Sequence, residues 1–268
     1  MTEKRNGQEV ILVGRGIAYG LCRGDTIPEE KIEKRFELSK DVNLKFEQMI
    51  QDMSLEIIIV SEEIIHYIKE KSDKEISDSI YVTLTDHISN LIERIELGIQ
   101  FDTAALLNMK ILYQKEYKIA LQALGILRKR LNLEISDEEA NFITLHIVSA
   151  ESNANMMMTQ MTTAMIGEIL EIIRSYFSIQ VSDNLVYDRF ITHCRFFAQR
   201  ITRKEGENYD DSTYSKMLQV LVESHGEQYR CVNQISEFIQ KKYHFRVEEN
   251  EKMYLLLHLI KLTEEVAC

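Results

Sequence analysis

Four histidines with the potential for chemistry sit at matched places in two copies of one pattern: His87 and His146 in the first copy, His193 and His258 in the second. A neutral imidazole nitrogen is a good in-line nucleophile near pH 7, and it is also the commonest metal ligand. Metal binding by helical ligands usually shows as H-x-x-x-H or as carboxylates one turn away, and neither pair has that spacing. Metal-dependent phosphohydrolase chemistry of the His-Asp type wants an HD dipeptide, whereas here Asp86 precedes His87. Phosphoryl acceptance is a third answer, in which a neighbouring carboxylate can orient the ring. Such a modification adds roughly one and a half to two negative charges if the serine-type magnitude transfers. Where helices or subunits meet, that charge biases an assembly.

The pairing of the histidines comes from a duplication. Tyr117 to Val148 slides onto Tyr229 to Ile260 at a constant offset of 112 residues, placing His146 on His258, Gln122 on Gln234, Lys129 on Lys241, Glu139 on Glu251 and Leu145 on Leu257. "YVTLTDHISNLIERI" matches "DRFITHCRFFAQRI" at an offset of 106, placing His87 on His193, and the difference between the offsets is the length of a loop. A lone histidine on an apolar helix face, such as His146 in "NFITLHIVSAE" or His258 in "KMYLLLHLIKL", is more often a satisfied core residue than a reactive one. Recurrence weakens that bland reading, although duplication also copies structural residues. His66, His225 and His244 do not recur and read as surface residues.

Helices must position these rings. Beyond residue 40 the chain is nearly free of breakers, and apolar residues fall at three- and four-residue spacing near 42–53, 55–71, 75–97, 102–131 and 136–153. Ser136 with Glu139 has the spacing of a capping box and starts the helix that carries His146. The stretch "ESNANMMMTQMTTAM" interrupts the pattern and marks the joint between the halves. Its Met156, Met157, Met158, Met161 and Met165 read as packed in a helix contact more readily than as an adaptable binding surface. The second half repeats the scheme from about Thr163, with a polar loop "RKEGENYDDS" after the His193 helix. Five of the ten glycines lie in the first 24 residues, where β-branched and aromatic residues alternate with them, so the start reads as short strands and turns. "IPEEKIEKRFEL", with the only proline at Pro28, reads as a short helix leaving that segment. The expected fold is mainly α: a small β-rich segment with linker over 1–40, then two duplicated all-α helical-bundle domains over 41–157 and 158–268.

Charge divides along the same line. Residues 1–24 carry a net +2 and residues 1–40 a net +1, which leaves −12 for residues 41–268. Phosphate neutralisation dominates affinity for nucleic acid, so an acidic body cannot supply the grip and any such contact belongs to the glycine-rich start. Cys22, Cys194, Cys231 and Cys268 form no C-x-x-C motif or framework, which suits a reducing compartment. No apolar run approaches the ~18 residues of a membrane span and the polar start is no signal peptide. A cytoplasmic protein without membrane insertion, cofactor or bound metal is expected.

The segments "VGRGIAYG", "GDTIPEEKIEKRFEL", "VSEEIIHYIKEK", "DSIYVTLTDHISNLIERI", "EEANFITLHIVSAE", "DRFITHCRFFAQR" and "YLLLHLIKL" resemble the BglG/SacY family of bacterial transcriptional antiterminators. The resemblance covers almost the whole chain in long, ordered motifs. It implies a small β RNA-binding domain and two regulation domains that pair with their twins in a homodimer. The RNA-binding dimer grips a hairpin in the leader transcript of a sugar operon and prevents a terminator from forming. On the family's pattern His87 and His146 are targets of the sugar permease of the phosphotransferase system and their modification inactivates. His193 and His258 are targets of the phosphocarrier HPr and their modification favours the active dimer. Asp86 matches an acidic neighbour of the first histidine, and Gly14, Arg15, Gly16 and Tyr19 match the RNA-facing loop. There glycines allow close approach, arginine a phosphate or guanine contact and tyrosine a stacking face. Arg94, Arg189, Arg195 and Arg200 are the candidate cations for a phosphorylated ring.

One departure divides the functional readings. The family's RNA-binding domain begins with a strand holding a lysine and a run of asparagines ahead of the "GQEVILVGRG" region. The opening "MTEKRNGQEVILVGRG" is short of it by roughly a dozen positions, and loss of a strand from a small sheet exposes an edge and removes core. The first reading is an RNA-binding antiterminator with a shortened or diverged start. The alternative is a phosphorylation-responsive dimerisation or protein-interaction module that has lost RNA binding. An enzyme, either a metal phosphohydrolase or a histidine phosphotransfer protein, ranks third, behind the expectation that the chain is no enzyme.

Overall fold

The computed structural model describes residues 2–5, 8–22, 24–99, 106, 109–177, 185–203 and 211–266. It divides into two compact units, Met1–Met156 and Met157–Cys268.

The first unit opens with an antiparallel sheet of order β1-β2-β3, formed by Thr2–Arg5, Gln8–Val13 and Lys34–Phe36. Thr2 pairs with Ile11 and Arg5 with Gln8, and on the other side Ile11 pairs with Phe36 and Val13 with Lys34. The edge expected to be bare is therefore covered: β1 occupies it, and the central strand is paired on both sides. Strand β2 shows the period of two that a sheet imposes. Ile11 and Val13 pack with Phe36, Phe46 and Ile58 on one face, while Val10 and Leu12 pack with Ile17 on the other.

The helix expected over residues 27–38 is not formed. A single 3-10 turn spans Glu29–Lys31 and the chain then extends into β3. Phe36 and Leu38, two apart, bury on the same side of the sheet, and pairing with β2 satisfies the backbone that a helix would have bonded locally.

Eleven further elements, α1 to α11, follow among the described residues: Lys40–Ile50, Leu55–Lys71, Ser79–Glu96, Met109–Leu112, Gln114–Leu131 and Glu139–Glu151 in the first unit, then Met156–Phe177, Leu185–Arg203, Asp211–Ser224, Gly226–Tyr243 and Glu249–Val266. Helix α2 starts at Ser54, whose hydroxyl accepts from the Ile57 amide at 3.3 Å, and carries Lys69 and Lys71 in its last turn against the helix dipole. Four helices build the first core: Ile64 and Ile68 from α2, Leu84 and Ile88 from α3, Leu124 and Leu127 from α5, Ile143 and Ile147 from α6. All eight are essentially inaccessible to water. Each such side chain contributes about 1.5–3 kcal/mol of transfer free energy, so this seam fixes how α3 faces α6.

The segment expected as one helix over 102–131 is broken at Tyr113 (φ −134°, ψ 54°) into α4 and α5, and residues 100–105 and 107–108 lie outside the described residues. The break repeats in the second unit. His225 (φ −132°, ψ 46°) precedes α10 as Tyr113 precedes α5, and α5 and α10 both end on a left-handed residue, Asn132 (φ 51°) and His244 (φ 54°). Each pair is 112 residues apart, so the offset read from side chains also holds in the backbone. The methionine-rich stretch is mostly helical, α7 beginning at Met156. Met165 is buried there, whereas Met157 and Met161 are exposed. The polar loop after the His193 helix lies largely outside the described residues.

Candidate functional site

In the first unit His87 projects from α3 and His146 from α6, and the ring centroids lie 5.0 Å apart. His87 also stacks on Phe142 at 5.5 Å. His146 is only 6% exposed. Burial, reinforced by the charge His87 can carry, pushes the His146 imidazole well below its ordinary value, which keeps it neutral and nucleophilic at pH 7. Neither His87 Nε2 nor His146 Nδ1 has a hydrogen-bond partner. At 3.5 Å, Glu139 Oε2 is an electrostatic neighbour of His87 Nε2 rather than a formed hydrogen bond.

Glu139 is the organising carboxylate. It also accepts from both Arg94 terminal nitrogens at 3.3–3.4 Å. Burial works against its charge, but His87 and Arg94 hold the carboxyl below the usual range. The capping box is therefore not closed: Ser136 Oγ accepts from the Glu138 amide at 3.3 Å, and the Glu139 side chain turns to Arg94 and His87. Asp86, expected to orient His87, is exposed and accepts from Asn90 at 3.1 Å. Adjacent residues on a helix diverge by about 100°, so the carboxylate facing His87 comes from the opposite helix.

The second unit repeats the arrangement with more open geometry. His193 on α8 and His258 on α11 stack at 3.6 Å with planes 25° apart. Arg200 on α8 holds Glu251 on α11 in a two-bond fork, Nε to Oε1 at 2.7 Å and Nη2 to Oε2 at 2.6 Å. In both units the arginine follows the first histidine by seven residues and the glutamate precedes the second by seven. A pocket of about 330 Å³ is walled by His193, His258, Arg200, Glu251, Phe196 and Tyr254, the last being the repeat equivalent of Phe142. Burial, then the cations Arg200 and Lys261, lower the His193 imidazole. Burial, then His193 and Lys261, bring His258 down to about 4. Both rings are neutral at pH 7.

Of the four candidate cations, Arg94 and Arg200 stand beside the rings, Arg189 is exposed and Arg195 half-buried. His66 and His244 are exposed and His225 half-buried. Cys22 is exposed, whereas burial raises the thiols of Cys194 and Cys231, the latter to about 12; Cys268 lies outside the described residues. Among the described residues no group of three or more His, Cys, Asp or Glu could hold a metal ion. No helix among them is long and apolar enough to cross a membrane.

The loop after β2 presents a different surface. Gly14, Arg15, Gly16 and Tyr19 lie in successive turns, Ile17 donating to Gly14 and Tyr19 to Gly16. Ile17 anchors the loop under Val10 and Leu12, leaving Arg15 exposed and Tyr19 86% exposed. Gly16 holds φ +60°, a conformation costly for other residues. Gly14 serves the chain's own packing, because a Cβ there would meet the Lys31 carbonyl oxygen at 1.9 Å. The Arg15 amide donates to Glu33 Oε1 at 3.0 Å, tying the loop to the strand that returns as β3.

Comparison with known proteins matches these parts in order. Residues 1–45 match the CAT RNA binding domain, and residues 62–150 and 167–262 each match the PRD domain, so each PRD match holds one histidine pair. The transcription antiterminator LicT of Bacillus subtilis is 37% identical over 262 residues, covering 97% of this chain and 93% of that one. The beta-glucoside operon antiterminator of Dickeya chrysanthemi is 30% identical over 266 residues, covering 98% and 93%. A crystal structure of GlcT CAT-PRDI is 27% identical, covering 55% of this chain and 89% of that one with a TM-score of 0.47. The CAT RNA binding domain match followed by two PRD matches, with 37% and 30% identity to the two antiterminators along nearly the whole chain, places it in the BglG/SacY family of transcriptional antiterminators.

Proposed function

We propose that this chain is an RNA-binding antiterminator of a sugar-utilisation operon, switched by phosphorylation of His87, His146, His193 and His258. The observation that carries the reading is the recurrence, in both PRD units, of two touching histidines beside an Arg–Glu pair. The rings whose pKa is lowered, His146, His193 and His258, are neutral at pH 7 and so able to attack phosphorus, and a cation stands by to receive the new charge. The exposed Arg15 and Tyr19 on a glycine-shaped loop support the leader-transcript hairpin as ligand, with phosphate or guanine on the arginine and a base on the tyrosine. The alternative in which RNA binding is lost rested on an absent strand, and the pairing of β1 with β2 favours the RNA-binding reading instead.

On this reading the sugar permease of the phosphotransferase system modifies the first unit and inactivates, while HPr modifies the second and activates. The chain acts as a homodimer, in which each added charge counts once per subunit. Incubation with HPr and its phosphate donor, followed by mass spectrometry, tests the activating half: phosphate on His193 or His258 is expected, and its absence from both sinks it.

A further inference from the structure

In the first unit the carboxylate of Glu139 lies between the Arg94 guanidinium and Nε2 of His87, 3.3 Å from one and 3.5 Å from the other. An anion thus stands beside the nitrogen where a phosphoryl group would sit. In the second unit the carboxylate of Glu251 is drawn fully onto Arg200, and the space between that fork and the two rings is a pocket of about 330 Å³, ample for a phosphoryl group. The planar guanidinium matches carboxylate and phosphate by the same two-bond geometry, so one anion can replace the other on it. A phosphoryl group with up to two charges competes well against a carboxylate with one.

We propose that Glu139 and Glu251 are stand-in anions that hold Arg94 and Arg200 in reserve, and that on phosphorylation each arginine leaves its glutamate for the phosphohistidine. Arg94 and Arg200 are then positioning residues for the modified state, and the two units differ in their resting position. Glu139 closes the first acceptor, whereas Glu251 leaves the second open. The freed glutamate, buried in the first unit and half-buried in the second, is then without its cation and pushes α3 from α6, or α8 from α11, wherever no other cation replaces the arginine. Lys261, one turn beyond His258 and near enough to lower its imidazole, adds a second cation beside the modified ring in the second unit; its repeat equivalent in the first is Ser149.

The inference rests on the phosphoacceptor reading but not on HPr or the permease, so its test uses a small chemical donor. Potassium phosphoramidate is incubated with the full chain: a ring nitrogen's lone pair forms the N–P bond as the P–N bond to ammonia breaks, ammonia leaves with that electron pair, and the proton on the other ring nitrogen passes to solvent. Peptide mass spectrometry locates the product, with exposed His66 as the internal control. Phosphorus NMR then follows the second ionisation of the phosphoryl group, ordinarily near pH 6 for protein phosphates.

The acid constant on His193 or His258 is expected to be about tenfold larger in the unaltered chain than in Arg200→Gln, a shift of about one unit, with Arg200→Lys recovering part of it. Glu251→Gln, which keeps the shape of the site, is expected to accept phosphate about two- to fivefold faster, in keeping with release of a partly exposed ion pair. Coincident titration curves for the unaltered chain and Arg200→Gln overturn the proposal. So does an unchanged rate in Glu251→Gln, or labelling of His66 with none at His193 or His258. Failure of HPr to modify the chain while these results hold would reject the proposed donor and leave this inference standing.

Discussion

The two units solve one packing problem in opposite ways, and the difference predicts a measurable loss. In the first, Lys74 reaches Glu116 Oε1 at 3.0 Å and Glu151 Oε2 at 2.7 Å, and Ser72 donates to the other oxygen of Glu151 at 3.0 Å. This ties the start of α5 to the end of α6. At the equivalent places in the second unit stand Gln228 and Thr263, joined by a neutral hydrogen bond of 3.1 Å. The side chains of Glu116 and Glu151 are only 8% and 5% exposed, while Lys74 is 54% exposed. Removing the partner of a buried charge costs about 3–5 kcal/mol, and the half-exposed lysine discounts that, so Lys74→Met is expected to cost roughly 2–3 kcal/mol. For a unit of this size that is a melting shift of roughly 5–10 °C.

The sign with pH is fixed by Glu151. Burial raises its carboxyl, with Lys74 opposing and Glu116 adding repulsion. Without Lys74 the folded state holds a proton that the unfolded chain releases, so the penalty is full at neutral pH and shrinks as pH falls toward the raised value. Thermal unfolding of the full chain, with hydrogen exchange of α5 and α6 amides to isolate the first unit, measures the loss. Adding Glu116→Gln and Glu151→Thr, which copies the second unit, is expected to recover most of it. A loss under about 0.5 kcal/mol, or no recovery in the triple variant, would refute the reasoning.

Three further outcomes are expected. Gly14→Ala drives a Cβ onto the Lys31 carbonyl and is expected to cost about 2–3 kcal/mol of local stability, read as faster exchange of the Arg15 amide that Glu33 now protects. Arg200→Gln removes a cation that lowers His193, so its imidazole is expected to titrate closer to the ordinary value in proton NMR; an unmoved curve would place Arg200 too far away to act. His258, at about 4 when folded, takes up its proton later than the unfolded chain, so stability is unaffected above about pH 7.5 and falls as pH drops from there toward 4. The full displacement is worth about 3 kcal/mol and screening of a half-exposed ring leaves roughly 1–2. His193, whose imidazole is also lowered, faces the ring together with Arg200, Lys261 and Glu251; His258→Asn is expected to flatten the slope.

The duplication was legible because helices tie side-chain type to position: the 112-residue offset located His146 and His258, and the same offset reappears in the backbone at Tyr113 and His225 and at Asn132 and His244. What escaped depended on partners distant in the chain. Glu139 and Glu251 were visible as a matched pair, but local spacing assigned Glu139 to a cap, and only the antiparallel crossing of α3 on α6 brings it to Arg94. The seven-residue intervals in both units were the available signal. Strand β3 escaped because "EEKIEKRF" has good helix formers, and pairing with β2 outweighs a propensity of tenths of a kcal/mol per residue. Strand β1 was signalled by Asn6-Gly7, a dipeptide favoured in two-residue hairpin connections, between Arg5 and Gln8, which pair.

Antitermination by this chain requires that phosphorylation of its PRD units govern its grip on RNA. The most direct measurement titrates a labelled leader-type hairpin with the full chain, unmodified and after treatment with HPr and its phosphate donor, beside Arg15→Ala. Salt-dependent binding is expected that Arg15→Ala weakens and that tightens after phosphorylation at His193 or His258. Affinity indifferent to both Arg15 and phosphorylation would contradict that requirement.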